Sequence, residues 1–155
     1  MDHEASTGSI TAADDIRVAD HREAIRQLKA RYFRFVDTKH WEGMRELFAA
    51  DAVIDTTGEG AKALQNLDEF IAVLASMLAD VVTVHHGHMP EIEITSPATA
   101  TGIWAMEDQL WWPDGSPLRH LHGYGHYHET YVRVDGRWWI STMRLTRLRR
   151  DLEFA

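Results

Sequence analysis

The sequence predicts one α+β domain, helices first and a long, mostly antiparallel sheet second, on three observations. Apolar residues recur at steps of three and four only in the first half of the chain, up to about Ala79. From Asp80 the period changes to two and stays there almost to the end. The chain has 155 residues, 45% of them hydrophobic, a length that suits a single domain and buries roughly two thirds of its unfolded surface.

The elements follow in order. Met1 to Ala13 is polar, lacks the basic start and apolar stretch of a signal peptide, and reads as a flexible leader. The domain itself is expected over 14–155, with Thr11 and Asp14 as a capping signal for the first helix. Ile25, Leu28, Tyr32 and Phe35/Val36 give that helix one apolar face, and Arg17, Arg22, Arg26 and Lys29 fall on the opposite, solvated side. A second helix fits Trp41 to Ala49, burying Trp41, Met44, Leu47 and Phe48. Ala52 to Thr57 reads as a short strand and Gly58 to Gly60 as a turn. A third helix is expected from Leu67 to Ala79, with Phe70, Val73, Leu74, Met77 and Leu78 inward.

Four long strands complete the domain. Val81–Thr95 ends at Ser96-Pro97, and Thr99–Trp112 closes at Pro113-Asp114-Gly115. Leu118–Val134 leads through the hairpin signal Asp135-Gly136 into Trp138–Arg149. A curved sheet wrapped around a long helix leaves a concave pocket between them, the natural place for a small-molecule site.

Composition narrows the chemistry. With no cysteine, disulfides, thiolate metal sites and cysteine nucleophiles are excluded. Lys plus Arg number 16 against 24 Asp plus Glu, a net charge of -8 that argues against nucleic-acid partners. No apolar run approaches the ~18 residues of a membrane helix, so no membrane partner is expected and the protein reads as cytoplasmic. Ten His and six Trp are a surplus in so short a chain.

Several residues could carry function. In the second long strand Trp104, Met106, Leu110 and Trp112 share one face, with Asp108 among them. A carboxylate on an apolar face is paired, protonated or functional, because burying a bare charge costs several kcal/mol or more. Its plainest reading is an ion pair with one of the arginines. His85-His86-Gly87-His88 raises the question of a metal, yet no fixed ligand spacing accompanies it and no metal or cofactor is expected. Strand alternation gives His86 and His88 one face and His85 the other; a bulge at Gly87 would turn His85 inward with Ile92, and without one His86 is the pocket residue. Asp37 and Tyr32 can act together only if the first helix ends near Asp37.

Taken together these residues form a recognisable pattern. The chain resembles the SnoaL-like branch of the nuclear transport factor 2-like superfamily, a cone-shaped α+β barrel. Within it the chain is most similar to bile acid 7α-dehydratase and, more distantly, to scytalone dehydratase and the dehydrochlorinase of lindane degradation. The resemblance rests on Lys29-Ala30-Arg31-Tyr32-Phe33-Arg34-Phe35-Val36-Asp37, on His85-His86-Gly87-His88-Met89-Pro90-Glu91-Ile92 and on Ala100 through Asp108. Asp135-Gly136-Arg137-Trp138 and a following arginine complete it. It implies Tyr32, Asp37, His85, Asp108 and Arg147 as catalytic residues, with His85 moving the proton and Asp37 or Asp108 orienting it. Phe33, Val36, His86, Trp104, Met106, Trp112 and His126 are the expected substrate-binding residues. The implied activity is a cofactor-independent dehydratase-like lyase acting on a hydrophobic ring ketone, steroid or polyketide. An isomerase, a cyclase or a non-catalytic binder of the same fold are the alternatives. The implied partner is a second copy of the chain, as dimer or trimer. The chain departs from the dehydratases at Asp55-Thr56-Thr57, where they carry a further tyrosine.

Overall fold

The computed structural model describes residues 12–61 and 64–155. The Thr11 cap and most of the expected leader lie outside them, while Ala12 and Ala13 already belong to the first helix. That helix, α1, runs Ala12–Asp37 and ends at Asp37. A one-turn helix α2 spans Trp41–Arg45 and is capped by the His40 ring, which accepts a 3.0 Å bond from the Gly43 amide. Strand β1 (Phe48–Asp55), a 3₁₀ turn over Thr57–Glu59 and the two-residue strand β2 (Gln65–Asn66) lead into α3 (Leu67–Met77). The long strands are β3 (Val82–Ser96), β4 (Thr99–Trp111), β5 (Leu118–Val134) and β6 (Arg137–Phe154).

The expected second helix is too long: it stops at Arg45, and Leu47 and Phe48 lead into strand instead. Pairing decides this against local periodicity, because Phe48 lies opposite Ile140 in a parallel contact with β6. The sheet order is β2-β1-β6-β5-β4-β3, with β1·β6 the one parallel pair among the described residues. It is a curved, unclosed mixed sheet with α1 across its inner face.

Asn66 and Glu69 form a reciprocal capping box that fixes the start of α3. Phe70 and Ile71 enter the core, and Leu78 follows just past the helix end. Val73 and Met77, expected inward, are 41% and 64% exposed because the cavity they face is open at that end.

Of the irregularities in the strand register, two decide what reaches the interior around the cavity. On β3, Gly87 pairs with Met106 and Pro90 with Trp104, so His88 and Met89 stand opposite the single residue Ala105. Thr83 and His85 are therefore inward before the bulge and Ile92 after it. On β6, Ser141 is the extra residue between the Tyr131·Ile140 and Thr130·Thr142 pairs. Trp138 and Ile140 are inward before it, and Met143, Leu145 and Arg147 after it.

The core contradicts the solvated placement of Lys29. Its stripe on α1 is Ile25, Leu28, Lys29, Tyr32, Phe33 and Val36, and Lys29 is wholly buried. The Lys29 ammonium pairs with Glu129 on β5, and the second Glu129 oxygen accepts from the Tyr131 hydroxyl. Trp104 Nε1 donates to Tyr131 at 2.8 Å. The ammonium also lies 4.0 Å from the Tyr32 ring centre and 3.6 Å from that of Tyr127. Periodicity along one helix cannot reveal a partner 100 residues away.

Removing one member of such a pair strands the other. Lys29→Met is expected to lower unfolding stability in urea by about 3–5 kcal/mol. Lys29→Met/Glu129→Gln should recover most of that loss, since the orphaned charge is gone.

Candidate active site

Asp37, at the last turn of α1, faces β3. One carboxylate oxygen accepts from the His85 backbone amide at 2.9 Å, and the other meets His85 Nδ1 at 2.7 Å. Thr83 donates to the same carboxylate at 3.0 Å and accepts from Lys39 at 2.8 Å. A carboxylate only accepts, so Nδ1 of His85 donates to Asp37, and in the neutral ring the lone pair is on Nε2. Phe33 stacks on the imidazole with ring centres 6.5 Å apart, filling the space left by Gly87.

Asp108 on β4 is directly opposite His85 in register, with Oδ2 3.8 Å from His85 Nε2. Arg147 grips Asp108 with two bonds of 2.6 and 2.8 Å. Its other edge holds Glu59, at 2.8 Å from Nε and 3.1 Å from Nη2. Burial alone would lower the Arg147 pKa, but the bonds to Asp108 and Glu59 outweigh it and raise it further. Glu59 is placed by the 3₁₀ turn, which Asp55 stabilises by accepting from the Thr57 amide at 3.0 Å and hydroxyl at 2.7 Å.

These groups border a cavity of about 700 Å³. Its polar end is Tyr32, Tyr127, His85, Asp108, Arg147 and Glu59. Its other wall is apolar: Val36, Phe70, Leu74, Leu78, Leu110 and Leu145. Tyr32 and Tyr127 meet edge to face at 5.8 Å. Burial raises the pKa of both hydroxyls, reinforced for Tyr32 by Glu129, Asp108 and Asp37, so both remain proton donors at neutral pH. A larger groove of about 1030 Å³, lined among others by Phe48, Val132 and Trp139, contains none of these groups.

The structure thus brings Tyr32, Asp37, His85, Asp108 and Arg147 together. Asp37 holds Nδ1 of the histidine, whereas Asp108 lies on the Nε2 side. Of the expected binding residues, Val36 lines the cavity, and Phe33 reaches it through His85. Trp104 and Met106 belong to the core beneath it, and Trp112 packs against the core beyond the lining. His86 is a correction: its side chain is 61% exposed on the outer face, 3.7 Å from Glu107. His88 and His122 approach the same carboxylate at 3.6 and 3.0 Å, and the His122 bond leads in lowering its pKa. Among the described residues no group of three such side chains could hold a metal ion.

His126 is the second correction. It alternates with the inward residues Gly125 and Tyr127, so Tyr127 lines the cavity in its place. The available signal was parity, since Gly123 and Gly125 share it with Tyr127. Glu59 carried no local signal; its partner is 88 residues away.

A profile of the SnoaL-like domain family matches residues 17–144. The FGR4 protein of Gibberella zeae, a candidate cyclase, is 24% identical over 133 residues, covering 80% of this chain and 89% of its own. A candidate scytalone dehydratase from Novosphingobium aromaticivorans superposes with a TM-score of 0.77 at 22% identity, covering 91% and 92% of the two chains. The hexachlorocyclohexane dehydrochlorinase LinA-type3 of Novosphingobium barchaimii gives 0.77 at 18%, over 90% and 94%. At these identities the two structures speak for the shared fold.

Gly123 faces the Asp108–Arg147 pair, and a Cβ there would overlap Asp108 Oδ1 and Arg147 Nη1. Gly123→Ala is therefore expected to displace the pair while every charged group remains. The check is the His85 imidazole ¹⁵N shifts, which should move at Nε2 far more than at Nδ1.

Proposed function

The chain belongs to the SnoaL-like domain family, and from that premise we propose that it is an acid–base lyase dehydrating a hydrophobic hydroxy-ketone ring. The observation that supports this reading is His85 held by Asp37 through Nδ1, with Nε2 turned toward a cavity that also holds the Tyr32 hydroxyl. Acid–base catalysis at one imidazole requires this division of its nitrogens.

In the proposed reaction His85 Nε2 removes a C–H proton next to the ring carbonyl. Tyr32 or Tyr127 donates a hydrogen bond to that carbonyl as negative charge develops on it. The imidazolium is stabilised by Asp37 on one side and Asp108 on the other. A double bond forms as the β-hydroxyl departs, taking a proton from the imidazolium, and water is released. His85 is left in its starting state. Arg147 keeps Asp108 in place, and the apolar wall excludes water from the reacting ring.

Isomerisation or ring closure would use the same acid and base, and the candidate cyclase among the relatives favours keeping that second reading. Product mass separates them, because only dehydration loses one water. His85→Ala is expected to reduce turnover on the true substrate by about 10²–10⁴-fold. Full turnover in that variant would reject the acid–base reading, and a cavity that binds rings without turning any over would leave a binding module.

We also propose that a second copy of the chain covers the outer sheet face. Ile103 and Trp111 there are 37% and 38% exposed. Light scattering at micromolar concentration should return a multiple of 17.8 kDa.

A further inference from the structure

The fork of Arg147 is full. Its five N–H groups go to Glu59 Oε1 and Oε2, to Asp108 Oδ1 and Oδ2, and to Met106 Sδ at 3.8 Å. The guanidinium is the one cation that could receive an anionic group among the described residues lining the cavity. No donor remains on it for a substrate. The same lining carries Glu59, Glu69 and Asp108, so carboxylates outnumber guanidinium at this site. Arg150 adds a looser contact to Glu59, at 3.8 Å, from a position 42% exposed.

From this we infer that Glu59 is a specificity-determining residue: by occupying the second edge of Arg147 it restricts the cavity to uncharged ring substrates and excludes ring carboxylates. This rests on the proposed function, since it concerns the substrate class of the same site. A carboxylate entering the cavity would lose its water, find no free cation and face existing negative charge. A neutral carbonyl meets no such penalty, because the hydroxyls of Tyr32 and Tyr127 can donate to it. Asp108 cannot substitute for Glu59 in this role. It is 4% exposed and locked on the opposite edge of the fork, whereas Glu59, on its 3₁₀ turn, is 24% exposed. Truncating Glu59 would uncover Nε and part of Nη2, a two-donor edge that matches a carboxylate.

The test compares a neutral and an anionic ring of the same size, 2-tetralone and 2-naphthoate, titrated at pH 7 into the full chain. Binding is read by calorimetry, and its location by the His85 ¹⁵N resonances. The wild type should bind 2-tetralone at least about tenfold more tightly than 2-naphthoate. Glu59→Ala should narrow that ratio by about tenfold through tighter 2-naphthoate binding, and Glu59→Gln, which keeps one acceptor, should fall between. If Glu59→Ala does not fold, the wild-type ratio and Glu59→Gln decide. Equal binding of both rings by the wild type, or a ratio unmoved by the variants, overturns the inference while 2-tetralone at His85 leaves the ring cavity standing. Failure of both rings to shift His85 overturns the ring-cavity reading and the inference with it.

Discussion

The site stands on a buried ion pair that takes no part in it. Lys29 and Glu129 are both shut off from solvent, and neither charge could remain there without the other. Burial pulls the Lys29 pKa down, and the charge and hydrogen bond of Glu129 oppose that pull. The pair joins α1 to β5, and Tyr131 and Trp104 extend it to β4. Because the ammonium lies against the rings of Tyr32 and Tyr127, it also fixes the two tyrosines of the cavity. A hydrophobic pair could fill the same volume. It could not hold two aromatic faces around a single charge.

A second constraint comes from the sheet. Strict alternation would send His85 outward with Met89 and Glu91, and Arg147 outward with Ile140's neighbours Trp139 and Ser141. The bulges at His88-Met89 and Ser141 reverse both. Each bulge moves a polar residue inside while leaving the apolar residues beyond it correctly buried. Gly87 makes the first one useful, since the space where its side chain would be is taken by Phe33, which in turn supports the His85 ring.

These features explain what was legible in the sequence. Helical and strand periods are local, so the α+β order, the three helices and the ends of β5 could be read from them. The end of α2 could not, because Phe48 is claimed by a strand 92 residues later, at Ile140. Lys29 was misplaced for the same reason, with Glu129 out of local sight. His126 and Tyr127 differ by a single step of parity, and the resemblance carried no motif at that strand to choose between them. His85 was legible only as one of two alternatives, and it is the bulge that selects it. Glu59 was invisible, since nothing about a turn glutamate announces an arginine on the last strand.

The two carboxylates beside His85 do different work because they are anchored differently. Asp37 is bound by neutral donors: a hydroxyl, a backbone amide and the imidazole itself. It is thus free to follow the charge of the ring, and its first effect is on tautomer. Asp108 is bound by a guanidinium through both oxygens, so its position is set by Arg147 and, beyond it, by Glu59. At 3.8 Å from Nε2 it is too far for a hydrogen bond. Asp108 therefore does not compete for Nε2. That separation leaves the lone pair of Nε2 directed at the cavity, where a substrate C–H would have to lie.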